Sequence, residues 1–419
     1  MLVEVTIWNQ LVGVLAWNET TQTASFEFSK TFRQNGLNLS PVLHPLSSKV
    51  TRIDLPDDQR IELESSKGLP LFISDALPDK FGTTVLLKYL EREGRSYRDL
   101  NPLEKLTYIG NRGMGAMEFK PASVLGTKSQ QQVHLGVLKE LALSVLTDRP
   151  IAYVANLTNL FQIGTSAGGA QPKVLINIDT QTGAIYRGDQ IPVSNHESWI
   201  LKFNRDTGSE TDREHGKIEY VYYQLAKKSG IEMMHSQLLH YEGESFFMTQ
   251  RFDRLNGVKI HTQTAHAMAG MNYRLPNTYS YEQLFSLINR LNLGYKAKEQ
   301  LFRTMVFNVV GRNVDDHTKN FGFSMNPKGE WSFSPAYDLT FSYNDNYKRE
   351  KPHFLSLNGK NNAHDRTDLI QVAKAYSIKK PDAMIDQILV AFDQWQTLAK
   401  QAEISTKTIA FIESKLNRL

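Results

Sequence analysis

The chain has 419 residues, 41% hydrophobic and 22% charged, which is ample apolar material for buried cores in more than one domain. Its 48 basic and 44 acidic residues leave a formal net charge of +4 with no long run of one sign, so a nucleic-acid contact is permitted but not argued for. There is no cysteine, which excludes disulfides, thiolate metal sites and cysteine nucleophiles.

The N-terminal MLVEVTIWNQ lacks the basic region and apolar run of a secretory signal, and no window approaches the ~18 uninterrupted apolar residues of a membrane span. A cytoplasmic protein without a membrane partner is expected. Residues 1 to about 60 read as strands, because Val3, Val5 and Ile7 alternate and short apolar runs are broken by NQ, NETTQ and proline turns. From 72 to 145 the pattern is helical, with LPDKFGTTVLLKYLEREG carrying apolar residues three and four apart and EKLTYIGNRGMGAM ending in a glycine-rich turn. Strands return over 157–205, where KVLINI alternates and WILKFN sets Trp199, Leu201 and Phe203 against Lys202. A helix carrying Ile218, Val221, Tyr222 and Leu225 follows, then the strand SFFMTQRF.

Beyond residue 262 helices dominate. SYEQ at 280–283 has capping-box spacing ahead of the stripe Tyr281, Leu284, Phe285 and Ile288. Phe302, Met305, Val306 and Val309 form a second stripe, and Met384, Ile385, Ile388, Leu389, Phe392 and Trp395 a third. The expected fold is α+β, protein-kinase-like and two-lobed, with a strand-rich N-terminal half and a helical C-terminal half. The expected domains are 1–125, 126–258 carrying a phosphate-binding loop and hinge, and 259–419 carrying a catalytic loop.

NVDDHTKNFGF, at 313–323, places Asp315 and Asn320 at the spacing of the catalytic aspartate and metal-binding asparagine in H-R-D-x-x-x-x-N. FGFSM, NPKG and EWSFS then read as a hairpin that delivers PAYDL and its Asp338. A phosphoryl donor carries several negative charges. Mg²⁺ would neutralise them through hard oxygen ligands, for which Asn320 and Asp338 are suited, while Asp315 would accept the proton of an attacking hydroxyl. Upstream, Gly164, Gly168 and Gly169 let backbone amides approach an anion, Lys202 sits on the next strand, and Glu219 on the following helix could pair with it. No Walker motif is present. A rival reading makes Asp315, Asp316 and His317, with His261 or His266, a hydrolytic metal site.

With these residues assembled, the chain resembles the HipA family, kinase-fold toxins of bacterial toxin–antitoxin pairs. The resemblance rests on LPDKFG (77–82), IGNRGMGAM, SAGGAQPK (166–173), ILKF around Lys202, RFDR (251–254), DDHTKNF (315–321) and PAYDL (335–339), and spans nearly the whole chain. It implies a serine/threonine protein kinase that uses ATP and Mg²⁺, with Asp315 catalytic, Asn320 and Asp338 metal ligands, and Lys202 on the phosphates. It implies autophosphorylation at Ser166, adding about −1.5 to −2 charges beside the phosphate site and so ejecting the loop. Gln250, Arg251 and Phe252 fall at the family's adenine-binding hinge, and Gln171, Lys173, Glu219, His317 and Lys319 join the nucleotide contacts. The partners implied are a HipB-like helix-turn-helix antitoxin, operator DNA through that complex, and a protein substrate, with an aminoacyl-tRNA synthetase as the family precedent. Two departures stand out. HTQTAHAMAGMNY replaces the acidic residues that other members carry soon after RFDR, and Asp316 replaces a glycine and is expected to be merely solvated. A small-molecule phosphotransferase and a catalytically silent corepressor are the other function classes.

Overall fold

The alternation of Val3 and Val5 makes β1 (Leu2–Ile7), and a bulge between Val5 and Thr6 turns Thr6 and Ile7 inward as well. The chain reverses through Trp8 and Asn9, whose φ of 45° and 61° are those of a type I′ hairpin turn, into β2 (Gln10–Asn18). This computed structural model describes residues 1–46, 52–53, 64–97, 100–122, 132–140, 171–189, 192–193, 195–204, 210–343 and 351–419. The chain divides into two units. One comprises Met1–Arg205, Leu239–Gln263 and Ser324–Glu330, and the other Asp206–Leu238, Thr264–Phe323 and Trp331–Leu419.

The first unit holds two five-stranded sheets. In the first, β3 (Thr23–Phe28), β4 (Arg52–Ile53) and β5 (Met117–Lys120) complete the order β4-β3-β2-β1-β5. Phe26 and Phe28 pack on Phe72 of the short helix α2 (Leu71–Ser74), which follows α1 (Lys30–Gln34). In the second, β6 (Lys173–Asp179), β7 (Ile185–Arg187), β8 (His196–Lys202), β9 (Ser236–Tyr241) and β10 (Glu244–Gln250) run in the order β7-β6-β8-β10-β9. Val174, Ile176, Trp199, Leu201 and Met248 cover one face and bury Phe81, Val85, Leu86 and Leu90 of α3 (Lys80–Arg92). LPDKFG therefore opens the helix that closes this core.

IGNRGMGAM and RFDR prove to be two halves of one buried clasp. The turn after α4 (Pro102–Ile109) presents Gly113 and Gly115, and the Gly115 N–H donates to Asp253 at 2.7 Å. Arg251 holds the same carboxylate through two bonds of 2.8 Å, and Arg254 bridges Asp253 to the carbonyls of Gly113 and Gly115. Burial pushes the Asp253 pKa up, but Arg251 and Arg254 overwhelm it and hold the carboxyl far below the usual range. Gly115, at φ +77°, has no room for a side chain, since a Cβ would lie 3.0 Å from the Thr262 nitrogen. Just beyond, the hairpin β11 (Arg254–Leu255) and β12 (Val258–Lys259) ends in Lys259, which donates to Asn111 O and Glu118.

In the second unit, α5 (Glu210–Arg213) precedes α6 (His215–Lys228), whose stripe of Ile218, Val221, Tyr222 and Leu225 is buried as the spacing predicts. β13 (His261–Thr264) leads into α7 (Ala265–Ala269), and α8 (Tyr281–Arg290) begins with the expected capping box at Ser280 and Gln283. α9 (Gly294–Val310) is followed, after residue 351, by α10 (Arg366–Ala375), α11 (Pro381–Phe392), α12 (Trp395–Gln401) and α13 (Thr406–Lys415). The third sequence stripe is thus split. The chain turns at Asp393 and Gln394, bringing Trp395 onto Tyr222 beside Phe307 and Phe392. Tyr222 donates to Gly311 O at 2.6 Å, and a Cβ on Gly311 would lie 2.6 Å from Phe392. Close packing at that glycine ends α9 where the NVDDHTKNF loop begins. Among the described residues no helix is long and apolar enough to cross a membrane.

In the first unit, burial pulls the His261 imidazole from 6.5 down to about 3, so it is neutral in the folded chain. Below pH 6.5 the unfolded state binds more protons, and stability present above that value falls by up to about 1.4 kcal/mol per pH unit on the way to pH 3. Urea midpoints taken between about pH 7 and 5 should therefore drop more steeply in wild type than in His261→Gln.

Candidate active site

Within the first unit, Lys173 and Lys202 are direct partners across the antiparallel β6–β8 ladder, and Phe247 of β10 lies opposite Lys202 on its other side. Both lysines are only 5% exposed, and the Lys202 ammonium lies 5.6 Å from the centre of the Phe247 ring. They occupy the face opposite Trp199 and Leu201, as the alternation predicts, but it is a buried face rather than a solvated one. Like charges placed directly opposite repel, so the ladder concentrates positive charge at one point. Gln171 anchors the start of this strand by donating to Phe203 O at 3.3 Å. Gln250 and Phe252 are half-buried at the end of β10, while the Arg251 side chain is turned away to Asp253 and the Gly188 carbonyl. Gly164, Ser166, Gly168 and Gly169 lie outside the described residues.

In the second unit the loop after Gly311 is held by its backbone and its amides. Arg312 takes a left-handed φ of 54°, and the Asn313 side chain donates to Asn308 and to the Asp338 carbonyl. The Asp315 N–H donates to Ser342 Oγ at 3.0 Å, and Ser342 in turn donates to Asn313 Oδ1. The Asp315 carbonyl accepts from the His317 N–H at 2.9 Å and from the Asn320 side-chain amide at 2.8 Å, closing the short 3-10 turn Thr318–Asn320. The Asp315 carboxylate stays exposed. Because its amide nitrogen is engaged, Asn320 has Oδ1 left as an oxygen ligand.

The hairpin of β14 (Gly322–Met325) and β15 (Trp331–Phe333) turns through Asn326–Gly329 as read from FGFSM, NPKG and EWSFS. It returns the chain so that the Ser334 N–H meets Gly322 O. Tyr337 then donates to Lys319 O at 2.7 Å, pinning PAYDL to the loop, and Asp338 follows at φ +52°, a strained position for a residue other than glycine. Hydrogen bonds thus tie the Asp315 backbone, the Asn320 amide and the Asp338 carbonyl into one assembly. An amide oxygen and carboxylates are donor types that fit a hard divalent cation that takes its other ligands from phosphate and water.

Asp316 is not solvated, contrary to expectation. It is 0% exposed and accepts from Tyr281 Oη at 2.7 Å, His353 Nδ1 at 2.9 Å and the Phe354 N–H at 2.7 Å, with the Leu355 N–H at 3.4 Å. Burial raises its pKa, but His353 and the donors outweigh that and leave it below the ordinary carboxylate value. Tyr281 also accepts from Asn308, so the bonds run without a gap from His353 through Asp316, Tyr281, Asn308 and Asn313 to Asp338. Sequence reasoning missed Tyr281 as anything but core, together with Asn308, Ser342 and His353. Only Asn313, adjacent to the loop motif, carried a local signal.

His317 packs its ring against Tyr273 and Phe354, and the Lys319 ammonium lies 4.5 Å over the Tyr273 ring. Glu219 is buried on α6, with His215 at 3.9 Å one turn earlier. Among the described residues no three acidic or histidine side chains form a metal-binding group. Asp316, saturated by donors, is not free to ligate a metal, so the Asp-Asp-His hydrolase reading loses its second carboxylate.

Residues 165–396 match the model of the HipA-like C-terminal domain, and residues 3–120 that of the HipA N-terminal domain. A serine/threonine-protein kinase toxin HipA of Shewanella oneidensis is 22% identical over 362 residues, covering 81% of this chain and 75% of that protein. The solved complex of Shewanella oneidensis MR-1 HipA, HipB and operator DNA superposes over 98% of this chain and 94% of the solved chain, with a TM-score of 0.66 and 18% identity. That likeness is one of fold.

Removing the hydroxyl in Tyr281→Phe leaves Asn308 without its acceptor and Asp316 without a donor, so a loss of roughly 1–3 kcal/mol is expected in urea unfolding. A change within about 0.3 kcal/mol would mean that the network is not under load.

Proposed function

The chain belongs to the HipA family of kinase toxins, and on that premise we propose that it is an ATP- and Mg²⁺-dependent serine/threonine protein kinase. The observation that carries this reading is the pinning of Asp338 to the Asp315–Asn320 loop through Tyr337 and Asn313. The donor set fits the cation: one amide oxygen and one carboxylate suit an ion that keeps phosphate and water ligands, and the two buried lysines suit a polyphosphate. When bound, Mg²⁺ and ATP supply the phosphoryl group and the neutralisation of its charge.

Asn320 and Asp338 hold the cation through oxygen. Lys202, with Lys173 beside it, attracts the nucleotide phosphates, Gln171 steadies the start of that strand, and Glu219 belongs to the nucleotide-binding set. Gln250 and Phe252 present the hinge to the base, and His317 and Lys319 complete the nucleotide contacts. Asp315, exposed and fixed at its backbone, takes the proton from a serine or threonine hydroxyl and aims the oxygen in line. Ser166 is the autophosphorylation site, and the charge placed there silences the enzyme. The chain acts as a cytoplasmic toxin on a protein substrate, for which an aminoacyl-tRNA synthetase is the precedent, and is neutralised by a HipB-like antitoxin. The relative solved with HipB and operator DNA supports that partner and its operator.

Incubation with radiolabelled ATP and Mg²⁺ tests the reading. Label is expected on Ser166 of wild type, and no transfer to any protein would favour a small-molecule phosphotransferase or a silent corepressor. Asp315→Asn should lower turnover by about 10²–10⁴-fold at unchanged ATP affinity. Asp338→Asn should weaken nucleotide binding only when Mg²⁺ is present, as measured by titration calorimetry with and without chelator.

A further inference from the structure

The groups facing Asp316 are all donors. Two are the backbone N–H groups of Phe354 and Leu355. The third is the Tyr281 hydroxyl, whose hydrogen has one place to go. Asn313 donates to Asn308 Oδ1, which orients the Asn308 amide so that its Nδ2 donates to Tyr281. Tyr281 must therefore donate onward to Asp316 at 2.7 Å. His353 and these donors outweigh burial and hold the Asp316 carboxyl below the ordinary carboxylate value, so it is ionised. The remaining neighbour, His353 Nδ1 at 2.9 Å, must then carry a hydrogen. Its Nε2 is buried and has no hydrogen-bond partner among the described residues, and the ring, 1% exposed, lies edge-on to His364 with centroids 5.3 Å apart.

We propose that His353 is a positioning residue for phosphoryl transfer: the hydrogen it donates from Nδ1 to Asp316 completes the donor shell that holds the loop presenting Asp315. This rests on the kinase reading above. Asp315 and Asp316 share a peptide unit, so the backbone position from which the exposed carboxylate projects is set by how firmly its buried neighbour is gripped. His353 is the one imidazole among these donors, and it reaches in from 37 residues away. Without it, Asp316 lies buried with one donor fewer, and the loop shifts to rehydrate it.

The test compares His353→Ala, His353→Asn and His353→Gln with wild type. The Asn amide nitrogen falls where Nδ1 sat, whereas that of Gln falls nearer Nε2. His353→Ala is expected to lose about 10- to 100-fold in kcat per folded molecule with KM for ATP nearly unchanged, the folded fraction being read by circular dichroism. His353→Asn should recover most of that loss and His353→Gln little of it. On wild type labelled with ¹⁵N-histidine, NMR should find His353 Nδ1 protonated, a readout that needs no activity. Wild-type kcat in His353→Ala, no recovery in His353→Asn, or an unprotonated Nδ1 would each overturn the proposal. Wild type that transfers no phosphate at all would instead defeat the kinase reading and leave the NMR result standing.

Discussion

A carboxylate with no access to water organises the second unit. Burying an ionised group costs several kcal/mol unless hydrogen bonds and an opposite charge replace its hydration, and the cost is recovered only when every acceptor position is filled. Asp316 meets that demand by drawing donors from α8 and from residues 353–355. The same donors are then fixed relative to one another. Ordering a buried acid thus orders its exposed neighbour, and Asp315 can remain solvated and still be held in place.

The first unit solves a related problem by a different route. Asp253 has two arginines and a backbone amide, so positive charge exceeds negative at the clasp, and burial lowers the Arg254 pKa to about 10. Charge is concentrated again where Lys173 faces Lys202. Both lysines are almost wholly buried, which sets them apart from lysines on a solvated surface.

Much of this was legible because it is local. The capping box at Ser280, the stripe on α6, the hairpin before PAYDL and the placing of Lys202 on the face opposite Trp199 and Leu201 follow from spacing over a few residues, and the structure repeats them. The reading of Asp316 went wrong because burial is a tertiary property. Nothing in DDHTKNF says that Tyr281 and His353 will surround the second aspartate. The late helical stripe misled for a similar reason, since Trp395 keeps the period of α11 while the chain has already turned to reach Tyr222. Gly113 and Gly115 were visible as a turn, but that RFDR requires them was not, because the two segments lie more than a hundred residues apart.

That last pairing bears on how such chains can diversify. The two recognisable domain families meet the sequence at 3–120 and 165–396, yet Asp253 and Arg254 belong to the second stretch and grip glycines of the first. The amino-terminal block is therefore no interchangeable cassette. A recombination that imported it from another lineage would leave Asp253 and Arg254 without these backbone partners, unless the incoming turn followed the same path.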